Sequence, residues 1–219
     1  MSLWQDFMTH HGYPMDKPIW YFPVYERHFS WYRNKSATFL EIGVARGGSL
    51  QMWQRFFGPH VKVVGIDIRD RSKSYESPGT FVRIGDQADE HFLQSIIDEF
   101  GVPDMVLDDG SHQMEHIART FNFLYPKLPK NGVYIVEDLQ TAYWEEYGGG
   151  VSKPGTFINL SKGFVDQLNA DHSRGQVLPN FITRETFGIS FYDSMVVFEK
   201  GEVWRKESLH VGQKPLFGR

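Results

Sequence analysis

What narrows the possible folds most is the stretch Met105-Val106-Leu107-Asp108-Asp109-Gly110-Ser111-His112, where a short apolar run drives into two carboxylates, a glycine, a hydroxyl and an imidazole. The pattern predicts a buried strand whose C-terminal end opens into a turn and then a helix. A second strand, 133–136, ends the same way, in Glu137-Asp138. Parallel strands buried on both faces read as such uninterrupted apolar runs, and ligands of open α/β sheets bind outside the strands' carboxyl ends. If the two strands are neighbours, Asp109, Glu137 and Asp138 converge beside His112. Three carboxylates repel one another unless something positive sits between them. A hard divalent cation, Mg²⁺, is the economical expectation.

The rest of the chain supplies the alternation such a sheet needs. A strand over 38–42, a glycine turn, a helix over 50–57 and a strand over 61–68 make one βαβ unit. A strand over 81–85 and a helix over 88–100 follow, with Phe92, Ile96 and Phe100 at helical spacing. A helix over 112–125 leads to the strand at 133. After Asp138 come Tyr143, Trp144, Tyr147 and three glycines, which predict a mobile loop over 140–150. A helix over 156–170 and closing strands over 189–199 and 203–209 complete the reading. The expected fold is Rossmann-like α/β: a doubly wound, mostly parallel seven-stranded sheet with an antiparallel C-terminal strand.

At 219 residues and 41% hydrophobic content the chain suits one domain over 1–219, with an aromatic N-terminal helical segment in 1–36 and a loop-and-helix insertion in 139–175. That first segment holds Trp4, Trp20 and Trp31 with four tyrosines. Such aromatic surface is expected to dock on the domain, to meet a second copy in a homodimer, or to wall a pocket. No apolar run is long enough to span a bilayer, the start lacks a signal-peptide pattern, and there are no cysteines. A cytoplasmic protein without a membrane partner is the expectation. A net charge of -4 gives nucleic acid no electrostatic foothold.

The turn Glu41-Ile42-Gly43-Val44-Ala45-Arg46-Gly47-Gly48-Ser49 lets a ligand approach a helix N-terminus. Asp67, at the next strand end, suits ribose hydroxyls. That spacing serves NAD and S-adenosylmethionine alike. Two observations favour the sulfonium: Glu41 precedes the first glycine by two, and the turn is not G-x-G-x-x-G. Asp86 and Gln87 at the third strand end suit the adenine edge, and Asp108 points away from the metal to support cofactor or turn. Candidate cofactor residues are thus Glu41, Gly43, Ala45, Gly47, Ser49, Asp67, Asp86, Gln87 and Asp108.

At these residues the chain resembles the class I, Mg²⁺-dependent sugar O-methyltransferases. The resemblance rests on Glu41-Ile-Gly-Val-Ala-Arg-Gly-Gly-Ser49, Leu107-Asp-Asp-Gly-Ser-His112, Val136-Glu-Asp-Leu-Gln-Thr-Ala-Tyr-Trp144 and Phe191-Tyr-Asp-Ser-Met-Val-Val-Phe-Glu-Lys200. These are similar to segments of the macrolide sugar enzymes of mycinamicin biosynthesis, and a compact type that O-methylates mannosides of methylmannose polysaccharides is similar as well. The resemblance implies metal ligation by Asp109, Glu137 and Asp138, His112 as the base, and an acceptor that is a small molecule or oligosaccharide. It also implies that an N-terminal domain of the larger relatives is lacking. Tyr143, Trp144 and Tyr147 are expected to cover a sugar face. Three rival readings remain: a methyltransferase for a non-sugar hydroxyl, a non-enzymatic nucleoside-binding domain, and a zinc hydrolase using His112-Gln-Met-Glu-His116, whose two imidazoles would share one helical face.

Overall fold

Strands β1 (Ala37–Ile42), β2 (Val61–Asp67), β3 (Thr80–Ile84), β4 (Met105–Asp108), β5 (Val133–Val136), β6 (Thr186–Tyr192) and β7 (Met195–Lys200) form one sheet in the order β3-β2-β1-β4-β5-β7-β6. The structure is a computed structural model and describes residues 2–204, 206–209 and 211–212. β1 to β5 pair in parallel, while β7 runs antiparallel to both β5 and β6. The central strands β4 and β5 are buried at every position. That is why they are short apolar runs with no alternation.

Helices cover both faces. On one side α1 (Leu3–Met8), α2 (Phe22–Phe29) with the turn before it, and α3 (Gly48–Phe57) build a core of Tyr21, Phe22, Tyr25, Phe29 and Trp53 with Phe39 of β1. On the other, α4 (Glu90–Phe100), α5 (Met114–Leu124) and α6 (Phe157–Leu168) build a core around Phe121, Tyr125, Phe157 and Phe198. A short α7 (Phe181–Glu185) leads into β6. The aromatic segment therefore docks on the sheet, leaving Trp20 and Trp31 exposed. Among the described residues no helix is long and apolar enough to cross a membrane.

Four expectations are corrected. The strand expected over 189–199 is a hairpin broken at Asp193-Ser194, with Ser194 at φ 60°. Because β6 and β7 pair within that hairpin, the sheet needs no strand from 203–209, and the described residues there form none. The helix expected from 112 starts at Met114, because His112 sits in left-handed backbone at φ 57° and turns the chain before the helix begins. The loop over 140–150 is folded into two 3₁₀ turns, Leu139–Tyr143 and Glu145–Tyr147.

Candidate active site

The strand order reverses between β1 and β4, so the turns that follow them diverge and open a crevice, the usual ligand position of an open α/β sheet. Gly43, at φ 94°, presses on the turn after β4 so closely that a Cβ there would lie 2.0 Å from the Asp109 carbonyl oxygen. A cavity of about 440 Å³ fills the crevice. Gly43 and Ala45 border it from the first turn, Asp67 from β2, Asp86 and Gln87 after β3, and Asp109, Ser111, His112 and His116 after β4. A smaller recess of about 140 Å³ adjoins it, walled by Ser49 and by Pro14 to Lys17 of the N-terminal segment.

The acids of the cofactor reading have different surroundings. Asp67 borders the cavity, and its Oδ2 accepts the N–H groups of Val44 (3.1 Å) and Ala45 (2.9 Å), holding the glycine turn shut against β2. Glu41 does not reach the cavity. It is wholly buried, and its carboxylate accepts from Ser49 Oγ at 2.8 Å and Trp53 Nε1 at 3.0 Å, locking α3 to β1. Burial pushes its carboxyl up to about 7, with Lys17 acting in the opposite sense. Gly47 stands at the start of α3, where its missing Cβ leaves room for the Tyr75 ring. Asp108 faces away from the cavity, accepting from Gln87 Nε2 (3.1 Å) and Tyr134 OH (3.2 Å). Gln87 in turn accepts the Ser111 N–H at 2.6 Å, so these two residues brace the turn after β4.

The acidic cluster forms because β4 and β5 are neighbours with Asp108 opposite Val136, which sets Asp109 beside Glu137 and Asp138. A residue absent from the sequence reading lies among them. Lys17 Nζ contacts Asp109 Oδ2 and sits 2.6 Å from Glu137 Oε1, with its side chain 3% exposed. Burial works against that ammonium, but Asp109 and Glu137 outweigh it and hold its pKa well above the ordinary lysine range. The other Glu137 oxygen accepts from the Tyr25 hydroxyl. Tyr21 OH donates to Asp138 Oδ1 at 2.8 Å and accepts the Asp138 N–H at 3.1 Å. Burial, reinforced by these carboxylates, raises the pKa of both tyrosines, which stay protonated donors. Only the demand for positive charge among three acids hinted at Lys17; nothing local marks it.

Asp109 Oδ1 and Asp138 Oδ2 both face His112 Nε2, at 3.8 and 3.9 Å. Asp138, like His112, has left-handed backbone (φ 56°), a costly conformation for a residue with a Cβ that is met most often at functional positions. Asp109, His112 and Asp138 offer ligand atoms all within 4.8 Å of one another, a set with two hard oxygen donors that suits Mg²⁺. Glu137, expected as a third ligand, lies beside them and contacts Lys17 and Tyr25. His116 is not in this group. Its Nδ1 lies 3.2 Å from Ser111 Oγ, and His112 precedes the helix, so the two imidazoles do not share a helical face and the zinc arrangement is absent. Tyr147 borders the cavity with its ring 6.2 Å from that of His112, whereas Tyr143 and Trp144 are about half exposed beside it in sequence.

No protein-family model matches the chain. It is 38% identical over 198 residues to demethylmacrocin O-methyltransferase of Streptomyces fradiae, covering 83% of this chain and 49% of that protein. It is 37% identical to mycinamicin VI 2''-O-methyltransferase of Micromonospora griseorubida, covering 83% of this chain and 48% of the relative. Among solved structures, the MycE methyltransferase in complex with Mg, SAH and mycinamycin VI matches with a TM-score of 0.79 and 35% identity, over 91% of this chain and 53% of that one. The chain thus spans about half the length of the curated relatives it matches. Over the half of those proteins that it spans, the chain is similar in sequence and fold to sugar O-methyltransferases.

Proposed function

We propose that this chain transfers a methyl group from S-adenosylmethionine to a sugar hydroxyl of a mannoside, rhamnoside or glycosylated natural product, with Mg²⁺ as a further cofactor. One observation carries the reading. A cavity large enough for a nucleoside, with Asp67 and Asp86 along it, runs into the group Asp109, His112 and Asp138. The relatives support it, being O-methyltransferases by name, and MycE was solved with Mg and SAH.

Methyl transfer is an in-line displacement, so oxygen, methyl and sulfur must be held collinear while one proton leaves. The glycine turn and Asp67 hold the nucleoside end of the cofactor. His112, pinned by its left-handed backbone between Asp109 and Asp138, accepts the hydroxyl proton, and the two carboxylates stabilise the resulting imidazolium. Held by Asp109, Glu137 and Asp138, Mg²⁺ would orient a vicinal diol and lower its pKa. Tyr143, Trp144 and Tyr147 lay aromatic surface on the sugar's C–H face. Trp20 and Trp31, both more than half exposed, support a homodimer that covers them.

Calorimetry with S-adenosylhomocysteine, followed by a methyl-transfer assay over mannosides, rhamnosides and macrolide glycosides with and without EDTA, tests the reading. Micromolar adenosylhomocysteine binding and EDTA-sensitive methylation of a sugar are expected. Tight NAD⁺ binding without adenosylhomocysteine binding would overturn the function, and full activity in EDTA would overturn the metal.

A further inference from the structure

His116, the second imidazole of His112-Gln-Met-Glu-His116, has no part in the chemistry above, yet it is held in a fixed pose on the cavity wall. Its Nδ1 lies 3.2 Å from Ser111 Oγ, and that oxygen accepts the Gln113 N–H at 3.3 Å. The hydroxyl is left with its own proton to give, and His116 Nδ1 is the acceptor beside it. A neutral imidazole that accepts at Nδ1 carries its hydrogen on Nε2. Among the described residues nothing hydrogen-bonds Nε2, and that atom is not sealed from solvent. One N–H donor is thereby left for whatever fills the cavity.

The place of this donor is set from the neighbouring wall. The Thr120 hydroxyl lies 2.8 Å from the His116 carbonyl oxygen and 3.0 Å from that of Gln87, stapling the first turn of α5 to the turn after β3. Asp86 precedes Gln87 and borders the same cavity, and its Oδ1 accepts the Ala88 N–H at 2.8 Å. An acceptor on Asp86 and a donor on His116 therefore stand on adjoining walls. Adenine offers the complement: an exocyclic amino group that donates, flanked by two ring nitrogens, N1 and N7, that accept.

We propose that His116 is a specificity-determining residue for the base of the cofactor: its Nε2–H donates to a ring nitrogen beside the adenine amino group, while Asp86 takes the amino group. This rests on the S-adenosylmethionine reading of the cavity. Ser111 acts through His116, by fixing which imidazole nitrogen holds the proton. A base without that ring nitrogen leaves the donor facing carbon with its hydrogen bond unmade, and sites built to hydrogen-bond a ligand reject the analogue that lacks the partner.

The test is titration calorimetry on the full chain with adenosylhomocysteine and its 1-deaza and 7-deaza analogues, in each of which C–H replaces one ring nitrogen. Wild type should bind at least one analogue about tenfold or more weakly than adenosylhomocysteine, as a hydrogen bond left unmade in a cavity demands. His116→Phe, which has no donor, should abolish one such preference, binding that analogue and adenosylhomocysteine within about threefold of each other. His116→Gln, whose amide donates, should keep that preference at about threefold or more. Should the phenylalanine variant fail to fold, His116→Ala makes the same comparison without added bulk. Wild type that binds all three compounds alike overturns the proposal. So does a donor-free variant that keeps every wild-type preference while losing affinity evenly, since that marks His116 as a wall of the cavity and no more. Wild type that binds none of the three overturns the cofactor reading itself.

Discussion

Glu41 is a buried acid whose ionisation opposes folding, and Glu41→Gln should show it. Its carboxyl is raised from 4.5 to about 7 by burial, with Lys17 and the donors Trp53 and Ser49 pulling it down and Asp109 pushing it up. At about 1.4 kcal/mol per pKa unit, ionised Glu41 costs roughly 3 kcal/mol of stability. The sign follows from linkage. The folded state holds this proton more tightly than the unfolded one, so the contribution is complete below about pH 4.5 and is lost as pH rises through 7. Asp108, also raised to about 7 by burial, adds to the same slope. Glutamine leaves no partner stranded, since its oxygen still accepts from Trp53 while its amide donates to the Ser49 hydroxyl, which can rotate to accept. Urea unfolding from pH 5 to 8.5 should show wild type losing stability toward alkaline pH. The variant should lose less and exceed wild type at pH 8 by up to about 3 kcal/mol. A gap between the two that stays constant across this range, or a variant weaker at pH 8, would refute the reasoning.

His112→Gln should lower methyl transfer by roughly 10² to 10⁴, the usual worth of a positioned base, with adenosylhomocysteine affinity kept; an equal fall in both would mark the residue as structural. Trp144→Ala removes a ring 46% exposed, so it should raise acceptor KM while changing stability by no more than about 0.5 kcal/mol in chemical denaturation. Gly43→Ala places a Cβ 2.0 Å from the Asp109 carbonyl at φ +94°, and should cost more than about 2 kcal/mol and abolish adenosylhomocysteine binding in calorimetry.

The parallel core was legible because strands buried on both faces must be apolar throughout, and because 105–112 and 133–138 carry their polar groups where strands end. Their convergence followed from pairing β4 with β5. Lys17 was not legible. It lies 92 residues from Asp109 and 120 from Glu137, in a segment of prolines and aromatics without periodicity, and only the folded chain brings it there. The surroundings of Glu41 were not legible for a related reason: its place before the glycine turn suits a ligand contact, and only the fold shows its side chain accepting from Trp53 and Ser49 of α3. The Asp193-Ser194 turn was hidden because Ser194 adopts φ 60° without the Asn-Gly or Asp-Gly pair that usually marks a two-residue hairpin.

The placement of β7 has a consequence for the order in which the molecule can be made. Among the described residues it is the last strand, yet it occupies an interior position between β5 and β6 and is the partner of the β5 edge beside Glu137. A chain synthesised only as far as β6 holds the parallel half of the sheet with that edge bare, a ready template for pairing with a neighbouring chain. Residues 195–200 therefore act as a clasp: until they pair with both neighbours, the parallel half of the sheet ends in an open β5 edge.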